Sequence, residues 1–228
     1  MEKELIKYLS GFITTERFDL FQKILSQRTS YLTVVLEDIF QPQNASAVLR
    51  TCECLGIQNV HIIENRNKFT VDKEVVMGSV KWLNLHKYNK AKHNSLEAVS
   101  ALKDKGYRII ATTPHQNDKF LPDFDLSKGK AAFVFGSELP GISEVILNEA
   151  DEFLKIPMSG FTESFNISVS AAILLFYLTQ KLRELDNINW QLTDSEKDGI
   201  MLQWLRSTIK RSNLLEQHFL KEREFNRK

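Results

Sequence analysis

The chain lacks the pattern of a secretory signal and any bilayer-spanning apolar run, so it is expected to stay in the compartment where it is made. Its start, Met1-Glu2-Lys3-Glu4-Leu5, has no basic stretch followed by an apolar run, and no apolar segment is long enough to span a bilayer. A cytoplasmic protein without membrane contact is expected. Cysteine is scarce: only Cys52 and Cys54 occur, two apart in a helical pattern, where side chains diverge by about 200° and cannot meet in a disulfide. A metal site would need further Cys or His beside them, so no metal is expected. An excess of charge is missing too. With 30 Lys and Arg against 29 Asp and Glu, the chain is not a uniformly basic phosphate binder, although local basic runs remain. Absent as well are G-x-G-x-x-G after the first strand, G-x-x-x-x-G-K-S/T, H-E-x-x-H and G-x-S-x-G. Dinucleotide, nucleoside triphosphate, zinc and hydrolase chemistries therefore lack support.

What is present is an ordinary globular composition, with no biased tract, no internal repeat and no flexible linker. The length suits one α/β domain with helical appendages. Short β-rich runs recur at Leu32 to Glu37, Val60 to Glu64, Tyr107 to Thr112, Ala131 to Phe135 and Phe153 to Pro157. Most are too uniformly apolar for half-exposed strands, which is the pattern of buried parallel strands. Helical patterns lie between them: Ala45 to Leu55 ending at Gly56, Ser95 to Lys105 ending at Gly106, and Ile142 to Ala150. Alternation of this kind predicts an α/β fold with a doubly wound parallel sheet.

A helix over Thr15 to Gln27 is expected ahead of the first strand, and a helix over Asp194 to Lys210 with Met201, Trp204, Leu205 and Ile209 on one face after it. The expected layout is an N-terminal helical arm (1–30), a central α/β domain (31–185) and a C-terminal helical extension (186–228). Two regions are locally basic: Lys87, Lys90, Lys92 and His93, and a tail containing Arg206, Lys210, Arg211, Lys221, Arg223, Arg227 and Lys228. Each admits two readings, a solvated face or a binding surface.

Three segments sit where strand ends turn into helices, the edge of an open α/β sheet where ligands bind. The first runs from Glu37 through Pro42 to Arg50; Asn44 is placed as a helix N-cap, and Arg50 shares a face with Ser46 and Glu53, where spacing alone favours a solvated arginine paired with Glu53. The second, Phe133 to Ser143, brackets Glu138 between Gly136 and Gly141. Those glycines would let backbone approach a ligand closely, and Glu138 also suits the first turn of a helix. The third, Ile156 to Ala172, places Ser164 and Asn166 at cap positions and assigns the following helix a core stripe of Val169, Ala172, Ile173, Phe176 and Tyr177.

In this order, N-A-S-A-V-L-R-T-C-E, F-G-S-E-L-P-G-I-S and I-P-M-S-G-F-T-E-S-F-N-I-S-V-S-A-A resemble the three motifs of the SpoU/TrmH branch of the SPOUT RNA methyltransferases, and Met77-Gly78-Ser79-Val80-Lys81-Trp82 resembles a further stretch of that family. The resemblance covers roughly Leu32 to Glu184. It implies a trefoil-knotted α/β fold, an exception to the rule against knots, and a homodimer with active sites at the subunit interface. It implies that S-adenosyl-L-methionine sits against Thr112, Gly136, Ile156 and Phe165, the last in place of a usual leucine, and leaves as S-adenosyl-L-homocysteine. Arg50 matches the family's catalytic arginine, with Asn44, Glu138, Ser164 and Asn166 as companions around the target ribose. A short N-terminal helix with a helical C-terminal tail resembles the members that methylate guanosine 18 in the D-loop of tRNA, and basic residues of those flanks, Arg17, Arg28, Arg206, Lys210 and Arg211, are the expected RNA contacts.

Overall fold

The computed structural model describes residues 1–113 and 119–225. Arg227 and Lys228 of the basic tail lie outside the described residues. Along the chain run α1 (Glu2–Ser10), α2 (Thr15–Leu25), β1 (Leu32–Glu37), α3 (Pro42–Leu55), β2 (Asn59–Ile63), α4 (Lys73–Val76), β3 (Asn84–Tyr88), α5 (Ser95–Asp104), β4 (Arg108–Thr112), β5 (Lys119–Phe120), β6 (Ala131–Phe135), α6 (Glu144–Glu149), β7 (Glu152–Lys155), α7 (Ile167–Arg183), α8 (Asp194–Thr208) and α9 (Ser212–Phe225). By contact the chain forms two compact units, Thr29–Trp190 in one and Met1–Arg28 with the chain from Gln191 on in the other.

In the first unit the strands form one parallel sheet in the order β3-β2-β1-β6-β4-β7-β5. β1 lies between β2 and the central β6, with all six of its residues buried. The pleat sends alternate residues to opposite faces: Val34, Leu36 and Phe133 enter a core layer with Val48 and Leu49 of α3 and Leu174 and Leu178 of α7, whereas Val35 and Val134 enter a second layer with Val99 and Leu102 of α5 and Ile146 of α6. β3, absent from the sequence expectation, is a partly exposed edge strand whose Asn-Leu-His-Lys-Tyr run carries no apolar signature.

Helix α3 begins one turn earlier than expected. Pro42 occupies its first turn, where a missing N–H costs nothing and the fixed φ suits a helix. Asn44 is therefore not the N-cap; it lies inside the first turn and is buried. Gly56 ends the helix in the left-handed region at φ 82°. Cys52 is buried, Cys54 exposed, and neither forms a disulfide. Ser46 is buried as well, accepting a hydrogen bond from the Asp72 N–H at 2.8 Å, so it does not share a solvated face with Arg50.

The expected stripe on α7 is corrected. The side that packs into the core is Ala171, Leu174, Leu175, Leu178 and Leu182; of the expected stripe, Ile173 packs against that core and Ala172 is partly buried, while Val169, Phe176 and Tyr177 are exposed. The helix is apolar on two sides, so periodicity does not say which one faces its own core.

The second unit is helical. α1 packs on α8 and α9, and α2 on α8, burying Leu5, Leu9, Phe21 and Leu25 with Trp204 and Leu205. Thr193 and Glu196 form a reciprocal capping box at the start of α8. Arg28 belongs to this interior: it is 1% exposed, with its guanidinium 5.4 Å from the centre of the Trp204 ring. An arginine held there is unavailable to an RNA phosphate, which removes it from the expected contacts.

Candidate active site

Because the sheet is parallel, the loops after its strands gather at one edge. Those after β4, β6 and β7, with the start of α7, enclose a cavity of about 410 Å³. Of the nine residues assigned to cofactor and catalysis, seven line it: Thr112, Gly136, Glu138, Ile156, Ser164, Phe165 and Asn166. The chain is folded tightly here. Ser137 and Gly141 exchange backbone hydrogen bonds of 3.1 and 2.9 Å, and a Cβ on Gly136 would lie 2.2 Å from the carbonyl carbon and oxygen of Gly141. Gly136 is thus required by the loop's own backbone. The Thr112 hydroxyl donates to the Val134 carbonyl at 2.7 Å, so this threonine's other contribution to the cavity wall is its backbone and methyl group.

Asn166 caps α7. Its Oδ1 accepts from the Ser168 N–H at 2.9 Å and the Ser168 hydroxyl at 2.7 Å, which fixes the side chain and leaves its NH2 as a donor. Asn44 is not in the cavity wall, but its Nδ2 donates to Oε1 of Glu138 and, at 3.1 Å, to Oε1 of Gln41. Helix α3 is in this way tied to the cavity loop. Arg50 follows Asn44 by six residues, about 9 Å along the helix axis at 1.5 Å per residue. It is exposed and, among the described residues, has neither an ion pair nor a hydrogen bond; the pairing with Glu53 is not formed.

Residues that the motifs did not single out complete the site. Ser137, Leu139, Lys155 and Met158 also line the cavity. Glu37, 2% exposed, accepts from the Ser143 N–H at 2.8 Å, the Ser143 hydroxyl at 2.7 Å and the Ser95 hydroxyl at 2.5 Å. This carboxylate anchors the far end of the cavity loop, Ser143, to the centre of the sheet. An acidic residue ending an apolar strand was the only sequence signal for it. Of the flanking cations, Arg17, Lys210 and Arg211 are exposed, and Arg206 is engaged by both carboxylate oxygens of Glu216 at 2.7 and 3.0 Å. Among the described residues no helix is long and apolar enough to cross a membrane, and no cluster of His, Cys, Asp or Glu is arranged to hold a metal.

A parallel α/β sheet with a small-molecule cavity among the loops after its strands, joined by a buried amide to the helix that bears Arg50, is the architecture of the class of α/β proteins that bind a small molecule at the strand ends. Within that class the chain belongs to the SpoU rRNA Methylase family, whose model matches residues 31–176. It is 43% identical over 219 residues to the tRNA (guanosine(18)-2'-O)-methyltransferase of Borreliella burgdorferi, covering 95% of this chain and 98% of that protein. Its fold is similar to the crystal structure of the A. aeolicus TrmH/SpoU tRNA modifying enzyme, with a TM-score of 0.74 at 26% identity, over 86% of this chain and 98% of that one. The fold is shared also with the SpoU methyltransferase AviRb from Streptomyces viridochromogenes in complex with AdoMet, with a TM-score of 0.58 at 20% identity, over 71% and 61% of the two chains.

Proposed function

We propose that the protein is a homodimeric cytoplasmic methyltransferase that uses S-adenosyl-L-methionine to methylate a ribose 2'-hydroxyl of tRNA, at guanosine 18 of the D-loop. The observation that carries this reading is the convergence of seven motif residues on one cavity, in a chain 43% identical over nearly its whole length to a protein named for that reaction. The trefoil knot belongs to the same reading.

The cavity suits the cofactor. Its volume falls in the range of roughly 300–1,000 Å³ typical of small-molecule sites, with apolar walls from Phe135, Ile156, Phe165 and Leu174 and a tight backbone loop at Gly136–Gly141. When bound, S-adenosyl-L-methionine supplies a methyl group already activated by a positive sulfur. The chain's own residues then position the ribose and manage one proton. Holding two reactants in line is worth on the order of 7 to 11 kcal/mol. Arg50 does not act as a free base: a guanidinium offers five N–H donors and no acceptor. It keeps the proton, orients an RNA phosphate or the 2'-oxygen and stabilises developing negative charge, while phosphate or water accepts the proton. Glu138, steadied by Asn44, and the fixed amide of Asn166 hold the polar side of the site. The exposed stripe of α7, Val169, Phe176 and Tyr177, is the face offered to a second copy. The helical unit, with Arg17, Lys210 and Arg211 exposed, is an RNA-binding extension.

Incubation with labelled cofactor and bulk tRNA, followed by mapping of 2'-O-methyl positions, tests the reading. Label confined to guanosine 18 is expected. Label at another nucleotide would reassign the target, and cofactor binding without transfer to any RNA would make the chain a non-catalytic RNA-binding factor.

A further inference from the structure

The flanking cations account for only part of an RNA footprint, since Arg28 is buried and Arg206 is bound to Glu216. A different set of cations is free. Arg66 and Lys68, in the loop after β2, and Lys90 and Lys92, in the loop after β3, are exposed and form no ion pair among the described residues. Lys103 and the less exposed Arg108, Lys119 and Arg223, by contrast, each sit on a carboxylate.

We propose that these two loops form a second phosphate-binding rim along which the RNA backbone runs toward the cavity. The inference rests on the function proposed above and extends it to a surface that the motifs do not include.

Three features support it. First, the loops are held in place. Oδ1 of Asp38, a residue at φ 53°, accepts from the N–H groups of Asn65 at 2.7 Å and Arg66 at 2.8 Å. The buried Asn94 donates its side-chain N–H to the Glu64 carbonyl at 2.7 Å and its backbone N–H to Oδ1 of Asn65 at 2.6 Å. Asn65 in turn donates to the Ser95 hydroxyl at 2.8 Å, and that hydroxyl donates to Glu37. Cations on preordered loops lose less entropy on binding than cations on mobile ones. Second, the neighbouring acid is turned to structural use: Glu64 accepts from the Phe69 N–H at 3.2 Å and the Asn89 amide at 3.1 Å, while Glu74 of α4 and Glu97 in the first turn of α5 are exposed acids beside the four cations. Third, both loops leave the C-terminal ends of parallel strands, the same edge as the cavity. At about 4.8 Å between strands, β3 lies about 14 Å from β6, the rise of about four nucleotides at 3.4 Å each.

The test is a tRNA-binding titration across a salt series with the neutral variant Arg66→Ala, Lys68→Ala, Lys90→Ala and Lys92→Ala, alongside the charge-keeping variant Arg66→Lys, Lys68→Arg, Lys90→Arg and Lys92→Arg. Each lost phosphate contact lowers the slope of log K against log salt by about 0.7–0.9. The neutral variant is expected to lose about 3 from the slope and at least about tenfold in affinity at 0.1 M salt, with cofactor affinity and melting temperature unchanged. The pairs Arg66 with Lys68 and Lys90 with Lys92, neutralised separately, should each give about half the change in slope, and the charge-keeping variant should match the wild type. Wild-type slope and affinity in the neutral variant would overturn the rim. A wild-type protein that neither binds nor methylates tRNA would instead overturn the function on which it rests.

Discussion

The side-chain amide of Asn44 donates a hydrogen bond to the carboxylate of Glu138, joining the first turn of α3 to the loop that walls the cavity. A hydrogen bond to a charged group is worth about 1.5–3 kcal/mol, so the bond is strong enough to set the loop's position. Asn44→Ala should lower turnover at saturating cofactor by about tenfold or more, since 1.4 kcal/mol corresponds to a factor of ten. Asn44→Asp should be worse, because it sets a second carboxylate against Glu138. Steady-state methylation of tRNA measures both; an Asp variant as active as the wild type would refute the link.

The glycine before that loop is required for a different reason. Any Cβ at position 136 would lie 2.2 Å from Gly141 carbonyl atoms, so Gly136→Ala forces the Ser137–Gly141 bridge apart. Overpacking of this kind costs about 1–3 kcal/mol. Because the displaced backbone is cavity wall, cofactor affinity should fall about tenfold or more, while Gly160→Ala, with only the Thr162 nitrogen at 4.0 Å, should leave it nearly unchanged. Calorimetric titration with S-adenosyl-L-homocysteine distinguishes the two.

Much of the sheet was legible from residue type alone. β1 and β6 match their sequence runs end to end, because strands buried on both faces leave a continuous apolar signal. β3 was not legible, since an edge strand with one-sided burial reads as polar chain, nor was the two-residue β5. Asn44 was misassigned because an asparagine before an apolar run looks like a cap, whereas the proline two residues earlier sets the helix start. On α7, two apolar faces give two periodic stripes, and of the expected one Ile173 packs on the core while Val169, Phe176 and Tyr177 face outward. The site was legible through its motifs. Its supports, Glu37 above all, were not, because nothing in a sequence tells that a strand-end carboxylate will be covered by Ser95 and Ser143.

His61 gives the sheet unit a pH dependence. Burial, the neighbouring His86 stacked at 4.6 Å and the charge of Lys105 push its pKa down to about 3, and Nδ1 meets the Tyr88 hydroxyl at 3.0 Å. The unfolded chain binds this proton with an ordinary pKa near 6.5; the folded one does not. Stability is therefore unaffected above about pH 6.5 and falls as pH drops toward 3, by up to about 1.4 kcal/mol per pH unit. Thermal melts should lose about 2 kcal/mol between pH 7 and 5 from this group, and His61→Leu should flatten the dependence across that interval. An equally steep curve in the variant would assign the effect elsewhere.

The outward side of α7 makes a prediction about assembly. Phe176 is 59% exposed and Tyr177 37% exposed on a helix whose opposite side already fills the core. Water-facing aromatics in register with Val169 are the surface on which two copies would pair. If the protein pairs on this face, Phe176→Glu should leave it monomeric in sedimentation at micromolar concentration and remove methylation, with each monomer still folded by circular dichroism. A wild-type protein that sediments as a monomer would exclude pairing on this face.

Arg50 presents a guanidinium that nothing in the described chain neutralises, on the helix that Asn44 ties to the cavity loop. If its task is to fix a phosphate or the 2'-oxygen through a planar fork of N–H groups, an ammonium is a poor substitute, having the charge without the bidentate geometry. Arg50→Lys should then lower turnover by about a hundredfold, the scale of one lost oxyanion donor. Cofactor affinity should be unchanged, since Arg50 does not line the cavity. Arg50→Ala should fall little further. Near-full turnover in Arg50→Lys would mean that positive charge alone suffices. A loss of cofactor binding in either variant would place the arginine at the cofactor instead of the ribose.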